Sequence, residues 1–277
     1  MRELSRGGTF GFAEHCMNRP KRMKSIPFDQ AAEYFDRTRP IGARALAAVA
    51  EQAAREVKHR GKCLDVGIGT GRIGIALMDR GINLVGIDLS LPMLRQLRLK
   101  SARRSIPVAV ADAVSLAFDN WTFGSAMACF VLNLIPDWRK AVTEMARVVR
   151  PGGVLLFMLA GAQGATREIN DFYFAQAGDN GYPFGLADPR DLDEHAISIG
   201  LRRRILPPIE DHKWISVEKI LQALEQGVYA GCWTLNPKTR ERAANATRVW
   251  AARRFGDVNR TWLDVERIGW RAYDVPL

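Results

Sequence analysis

Short apolar runs and helix-spaced apolar stripes take turns along the middle of this chain. Residues 63–66 read as a short buried strand, and residues 72–80 place Ile73, Ala76 and Leu77 on one helical stripe. The same exchange of strand and helix continues to Met158, which predicts an α/β fold with a doubly wound parallel sheet. Residues 41–58 are alanine-rich with apolar positions at helical spacing, and predict a helix packed under the sheet. Beyond Met158 the pattern loosens. A helix is predicted near 192–199, a strand near 202–207, a helix over 238–255 and a last strand over 266–275. The stretches 160–189 and 208–237 are variable in character and carry Phe172, Tyr173, Phe174, Tyr182, Phe184, His212, Trp214, Tyr229 and Trp233 among glycines and polar residues.

The turn between the first strand and its helix is the most specific feature. LDVGIGTGRIG, from Leu64 to Gly74, ends an apolar run in an acid and follows it with four glycines. Glycine reaches backbone angles closed to other residues and lets a ligand approach, while the helix N-terminus offers unpaired N–H groups. Gly69, Gly71 and Gly74 satisfy the G-x-G-x-x-G dinucleotide pattern, and Asp88 stands 19 residues beyond Gly69. Asp65 argues against a dinucleotide, because a carboxylate ending a central strand needs a cation or donors and would repel a pyrophosphate. A ligand with an ammonium group and no phosphate suits it, and S-adenosylmethionine is such a ligand.

D-x-G-x-G-x-G at Asp65 to Gly71 resembles the first motif of class I S-adenosylmethionine-dependent methyltransferases, in particular the small-molecule group similar to ubiquinone and menaquinone methyltransferases. NLVGID, ending at Asp88, resembles that family's second strand. VAVADAVSLAF, from Val108, is similar to its third strand and acidic turn, and the segment from Phe123 to Phe157 resembles its fourth strand, helix and R-V-x-x-P-G-G turn. The resemblance implies a Rossmann-like, mostly parallel seven-stranded sheet with a helical lid and an inserted substrate cap. It divides the chain into a disordered basic tail (1–27) and a methyltransferase domain (28–277). Within that domain fall a lid and first helix (28–60), a cofactor-binding core (61–159), and a cap with C-terminal strands (160–277).

By the same resemblance, Asp65, Gly67, Gly69 and Gly71 shape the cofactor turn, Asp88 holds the ribose hydroxyls, and Asp112 and Ala113 face the adenine. Leu89, Met93 and Phe130 complete that pocket, and Arg39 in the lid segment FDQAAEYFDRTRP reaches the cofactor's carboxylate; Tyr34 is the other notable lid side chain. The residues alone leave alternatives: Asp88 as a helix cap, Asp112 as a solvated turn residue, Arg39 as a surface cation. Methyl transfer from a sulfonium needs alignment and exclusion of water, and some acceptors also need a base. Asn133 stands where relatives carry His or Asn; it can orient an oxygen but takes no proton. His212, in EDHKW, is the other catalytic candidate, whereas His195 reads as a solvated or packed histidine. The catalytic group is otherwise unassigned, and no metal is expected.

Composition narrows the setting. The net charge of +10 belongs to the N-terminal half, since residues 161–277 carry 16 basic and 16 acidic side chains. Its densest cluster, Arg95, Arg98, Lys100, Arg103 and Arg104, reads as a solvated helix face lying away from the substrate mouth. Four scattered cysteines without a C-x-x-C pair argue against a zinc site or a disulfide framework. With no membrane span and no signal peptide legible, a cytoplasmic protein is expected, monomeric or weakly dimeric. The expected function is methyl transfer to O, N or C of a small, partly apolar metabolite. The alternatives are an RNA methyltransferase, supported by charge alone, and a non-catalytic S-adenosylmethionine-binding module; an NAD-dependent oxidoreductase is argued against by Asp65.

Overall fold

The computed structural model describes residues 25–101, 106–159, 163–178 and 184–277. Most of the basic tail, Cys16, Arg103, Arg104 and Tyr182 lie outside the described residues. Five strands build the parallel part of a sheet: β1 (Cys63–Val66), β2 (Leu84–Asp88), β3 (Val108–Val110), β4 (Phe123–Cys129) and β5 (Val149–Met158). The strands β6 (Arg202–Ile205), β7 (Ile209–Ile215), β8 (Trp262–Ile268) and β9 (Arg271–Asp274) follow. The main sheet has seven strands in the order β3-β2-β1-β4-β5-β9-β6, and only β9 runs antiparallel to its neighbours. The order reverses beside β1, so the mouths of β1 and β4 open into one crevice, where open α/β sheets bind ligands.

Period-two alternation explains the two cores. Leu64, Val66, Ala126, Ala128, Leu155 and Phe157 face helices α5 (Trp138–Val148) and α7 (Pro189–Ser198). Cys63, Met127, Val154, Leu156 and Met158 face α2 (Ala43–Val57), α3 (Arg72–Met78) and α4 (Leu91–Lys100). The lid is a turn of 3-10 helix at Asp29–Ala31 followed by the single-turn α1 (Phe35–Thr38).

The cap is a second body of packing. Helix α6 (Gly164–Ala177) follows β5, and α8 (Val217–Glu225) and α9 (Pro237–Phe255) lie between β7 and β8. Their apolar faces meet in a separate core that includes Ile169, Tyr173, Leu221, Leu224 and Ala244. Strands β7 and β8 form their own antiparallel pair.

Two expectations are corrected here. The stretch 208–237 contains strand β7 and helix α8, and the single last strand over 266–275 is two strands in different sheets. The chain changes sheet at Gly269 and Trp270, where the indole is buried and donates to Val49 O at 3.0 Å, pinning the crossing to α2. The basic helix α4 also reaches the lid: Lys100 Nζ lies 2.7 Å from Asp36, while Arg95 and Arg98 stay exposed.

Candidate active site

A cleft of about 870 Å³ opens at the mouths of β1 and β4 and runs from the glycine turn to the cap. Its inner end is set by backbone. Gly67 and Gly69 hold φ of 73° and 56°, which lets the chain turn sharply out of β1. A Cβ on Gly67 would lie 2.7 Å from Val131, so the turn packs directly on the segment after β4. Phe130 lines the same end with φ of 55°, an unfavourable conformation for a bulky residue held by its N–H bond to Met158 O at 2.7 Å.

Three carboxylates follow the strand ends. Asp65 is buried to 2% exposure, and its Oδ1 has no hydrogen-bond partner. Desolvation, with a smaller contribution from the charge of Asp88, pushes its carboxyl up to about 8. Asp88 accepts from Gly69 N and Ser90 N, both at 2.8 Å, so it braces the glycine turn while lining the cleft. Burial raises its pKa, and those backbone donors oppose the rise. Asp112 accepts from Val114 N at 3.1 Å and from Ser25 Oγ at 3.3 Å and also faces the cleft. Leu89, Met93 and Ala113 line the wall between them.

Two arginines close this end from the lid side. Arg39 donates to Val228 O at 2.6 Å and sits 5.1 to 5.5 Å from the ring centres of Phe28, Phe35 and Tyr229, which ties the lid to the cap. Arg72, the first residue of α3, donates to Arg39 O and lies over the rings of Phe35 and Phe130. Desolvation lowers its pKa, opposed by Asp36, Cys129, Glu266 and Asp211. The Cys129 thiol beside it is pushed well up by burial and by Asp65.

The outer end belongs to the cap. Asp211, Lys213 and Ile215 alternate inward along β7 and meet Glu266, Asp264 and Trp262 of β8 in register. Lys213 Nζ lies 2.7 Å from Glu266 and 3.0 Å from Asp211, and Phe174, Ile220 and Leu224 supply apolar wall.

Residues 64–157 match the family described as a methyltransferase domain. Over that segment the chain resembles the class I S-adenosylmethionine-dependent methyltransferases. It is 34% identical over 134 residues to the malonyl-[acyl-carrier protein] O-methyltransferase of Salmonella typhimurium, a match covering 48% of this chain and 51% of that protein. It is 37% identical over 103 residues to a demethylmenaquinone methyltransferase of Paenarthrobacter aurescens, covering 37% and 40%. The chain spans about half the length of the curated relatives it matches, or less. In fold it is similar to the YcgJ protein of Bacillus subtilis, with a TM-score of 0.59 at 15% identity, covering 84% of this chain and 99% of that one.

The methyltransferase core fits the cofactor its family name implies, on an observation of this structure: the buried, unpartnered Asp65 oxygen asks for a cationic donor such as the methionine ammonium. Two of the sequence candidates stand elsewhere. Gly71 does not line the cleft; with φ of 76°, a Cβ there would lie 2.1 Å from Leu97, so it serves the packing of α3 on α4. His212 lies on the outer face of β7, 53% exposed at its side chain and 3.4 Å from Glu210, because a strand alternates its side chains and 211 and 213 take the inward positions. Asn133 is buried in the cleft wall, its carbonyl accepting from Gly185 N at 2.9 Å. His195 packs α7 on α5, edge-on to Trp138. Tyr34 does not line the cleft.

The aromatics divide. Phe174, Trp214 and Tyr229 line the cleft, whereas Phe172 stacks on Trp250, Tyr173 fills the cap core and Trp233 holds Phe28 of the lid. Arg72, Asp211, Lys213, Asp264 and Glu266 were not singled out from the sequence. The alternation Asp264-Val265-Glu266 in WLDVERI was the signal for two of the hairpin four, Asp211 and Lys213 had only the charged run EDHK, and the place of Arg72 directly after the glycine turn was the signal for that residue. Among the described residues no group of three or more His, Cys, Asp or Glu converges for a metal ion, and no helix is long and apolar enough to cross a membrane.

Proposed function

We propose that this chain transfers the methyl group of S-adenosylmethionine to O, N or C of a small, partly apolar acceptor. The observation that carries the reading is Asp65, a buried carboxyl with an unpartnered oxygen at the mouth of the central strands. When bound, the cofactor supplies the electrophilic methyl group. Asp65 receives its ammonium, Asp88 its ribose hydroxyls, and Asp112 with Ala113 its adenine edge. Both arginines line the cleft, and Arg72 rather than Arg39 holds its carboxylate, because Arg39 donates to Val228 O and Thr38 Oγ1 and lies against three rings, whereas Arg72 donates to one backbone carbonyl and lies over two. The lid and cap exclude water and align the acceptor, which is most of what an in-line displacement requires. Lid and cap are joined by Arg39 at Val228, by Phe28 on Trp233, and by Gly42 N donating to Asp211 at 3.0 Å.

We further read residues 28–60 as lid and first helix, 61–159 as the cofactor core and 160–277 as cap and closing strands, in a cytoplasmic protein that works as a monomer or weak dimer. The test is release of S-adenosylhomocysteine from S-adenosylmethionine with a panel of small amines, alcohols, phenols, carboxylic acids and active-methylene compounds. Acceptor-dependent release is expected. Binding of the cofactor without release on any acceptor would replace this reading with a non-catalytic binding module. Retention on bulk tRNA at low salt, with methyl incorporated into it, would favour the RNA reading instead.

A further inference from the structure

The inner face of the β7–β8 hairpin concentrates charge where the acceptor must sit. Asp211, Lys213, Asp264 and Glu266 all line the cleft, three carboxylates to one ammonium. Lys213 is committed to Glu266 and Asp211. Arg72 acts on Glu266 and Asp211 from the inner end, and at the rim Arg167 and Asp171 form an exposed pair at 3.5 Å and Lys219 is exposed. Asp211 is 2% exposed; its Oδ1 accepts from Gly42 N and its Oδ2 pairs with Lys213 Nζ at 3.0 Å. With Lys213 shared between Asp211 and Glu266, Asp264 has, among the described residues, only Thr166 Oγ1 at 3.5 Å beside it, and three carboxylates against one ammonium favour a cationic ligand.

We propose that the acceptor is a primary or secondary amine on an apolar skeleton, with Asp264 taking the proton that frees its lone pair. This rests on the methyl-transfer reading above. The acceptor enters as an ammonium, attracted by the carboxylates. One N–H proton passes to Asp264, and the freed nitrogen lone pair attacks the methyl carbon. The carbon–sulfur bond breaks with its electron pair going to sulfur, and the methylated product leaves as an ammonium while Asp264 returns its proton to water. Asp264 is suited to this place. Burial and the neighbouring Glu266 raise its pKa, opposed by Thr166 Oγ1, 3.5 Å away on α6, and by Lys213. Phe174, Ile215, Ile220 and Leu224 provide the apolar wall for the rest of the molecule. A carboxylate or phosphate acceptor would meet the hairpin acids instead, which is repulsion built against that class.

The test sets benzylamine and phenethylamine against benzyl alcohol, phenol and benzoate, measuring S-adenosylhomocysteine release and methylated product. Calorimetric binding of S-adenosylhomocysteine is run beside it. Amines are expected to turn over at least about tenfold faster than any matched acceptor. Asp264→Asn is expected to lower kcat on the amine about 100-fold with the affinity for S-adenosylhomocysteine unchanged. Turnover of an alcohol, phenol or acid in preference to the amines, or no turnover of either amine by a protein that binds S-adenosylhomocysteine, overturns the proposal. So does an Asp264→Asn enzyme as fast as the original. Absence of S-adenosylhomocysteine binding marks failure of the cofactor reading itself and removes the ground for this one. If Asp264→Asn does not fold, the comparison of acceptor classes on the unmodified chain decides alone.

Discussion

On the cofactor side of the cleft, backbone places the chemistry: Asp65 and Asp88 stand at strand ends, the glycine turn takes its shape from positive φ, and Gly69 N is tied to Asp88. On the cap side, side chains of a two-stranded hairpin do so, and its helices rest on a core of their own. A site made by strand ends and tight turns tolerates little change, because its geometry is that of the sheet. A site displayed on an inserted hairpin can change its side chains without moving the fold. The difference teaches where the common part of the reaction ends and the particular part begins. On the proposed reading the core holds the donor, and β7, β8, α6 and α8 select the acceptor.

The comparison breaks most sharply at Asp65. Asp65→Asn should weaken S-adenosylhomocysteine binding roughly 100-fold by removing a charge-assisted contact, measured by calorimetry, while leaving the thermal midpoint unchanged or raised, since an uncompensated buried acid disappears. Equal loss of affinity from Asp264→Asn would erase the distinction between the two ends. Next in size, Arg72→Ala should cost about tenfold in the same affinity. Arg39→Ala should cost less and instead raise susceptibility of the lid to limited proteolysis, because it loosens the tie to Val228. The reverse order would return the carboxylate to Arg39.

A smaller effect sharpens the cap. Arg248 of α9 holds Glu218 of α8 at 2.8 Å and Glu225 at 3.4 Å. Arg248→Ala should lower stability by about 1 kcal/mol or less, seen in a denaturation midpoint, with cofactor affinity intact. The smallest expected effect is none: His212→Ala, on the outer face, should leave turnover as it was.

Much of the cofactor side was legible in the chain because its signals are local. Asp65, Gly67, Gly69 and Asp88 lie within one strand-turn-helix-strand unit, and the alternation of elements around them sets the topology. Gly71 shapes the turn but stands off the cleft, because a glycine with positive φ serves packing against Leu97 as readily as ligand approach, and only the third dimension tells them apart. The cap was less legible. Its acids belong to two strands about 50 residues apart that pair only in the fold, and the eye goes to the histidine between them. Strand alternation sends that histidine outward and its two neighbours inward. The break between β8 and β9 was hidden for a similar reason, since the alternate apolar positions Ile268, Trp270 and Ala272 continue across a change of sheet.

The central claim is that the Asp65 carboxyl waits for the cofactor's ammonium, and proton linkage tests it most directly. Raised to about 8, the group is largely protonated at neutral pH in the free protein. A bound cation lowers its pKa, so binding must expel its proton. Titration of S-adenosylhomocysteine at pH 7 in two buffers of different ionisation enthalpy should show release of about one proton, fading above pH 9 where the carboxyl is already ionised, and absent in Asp65→Asn. Binding with no such release, or release that persists in Asp65→Asn, would contradict the account.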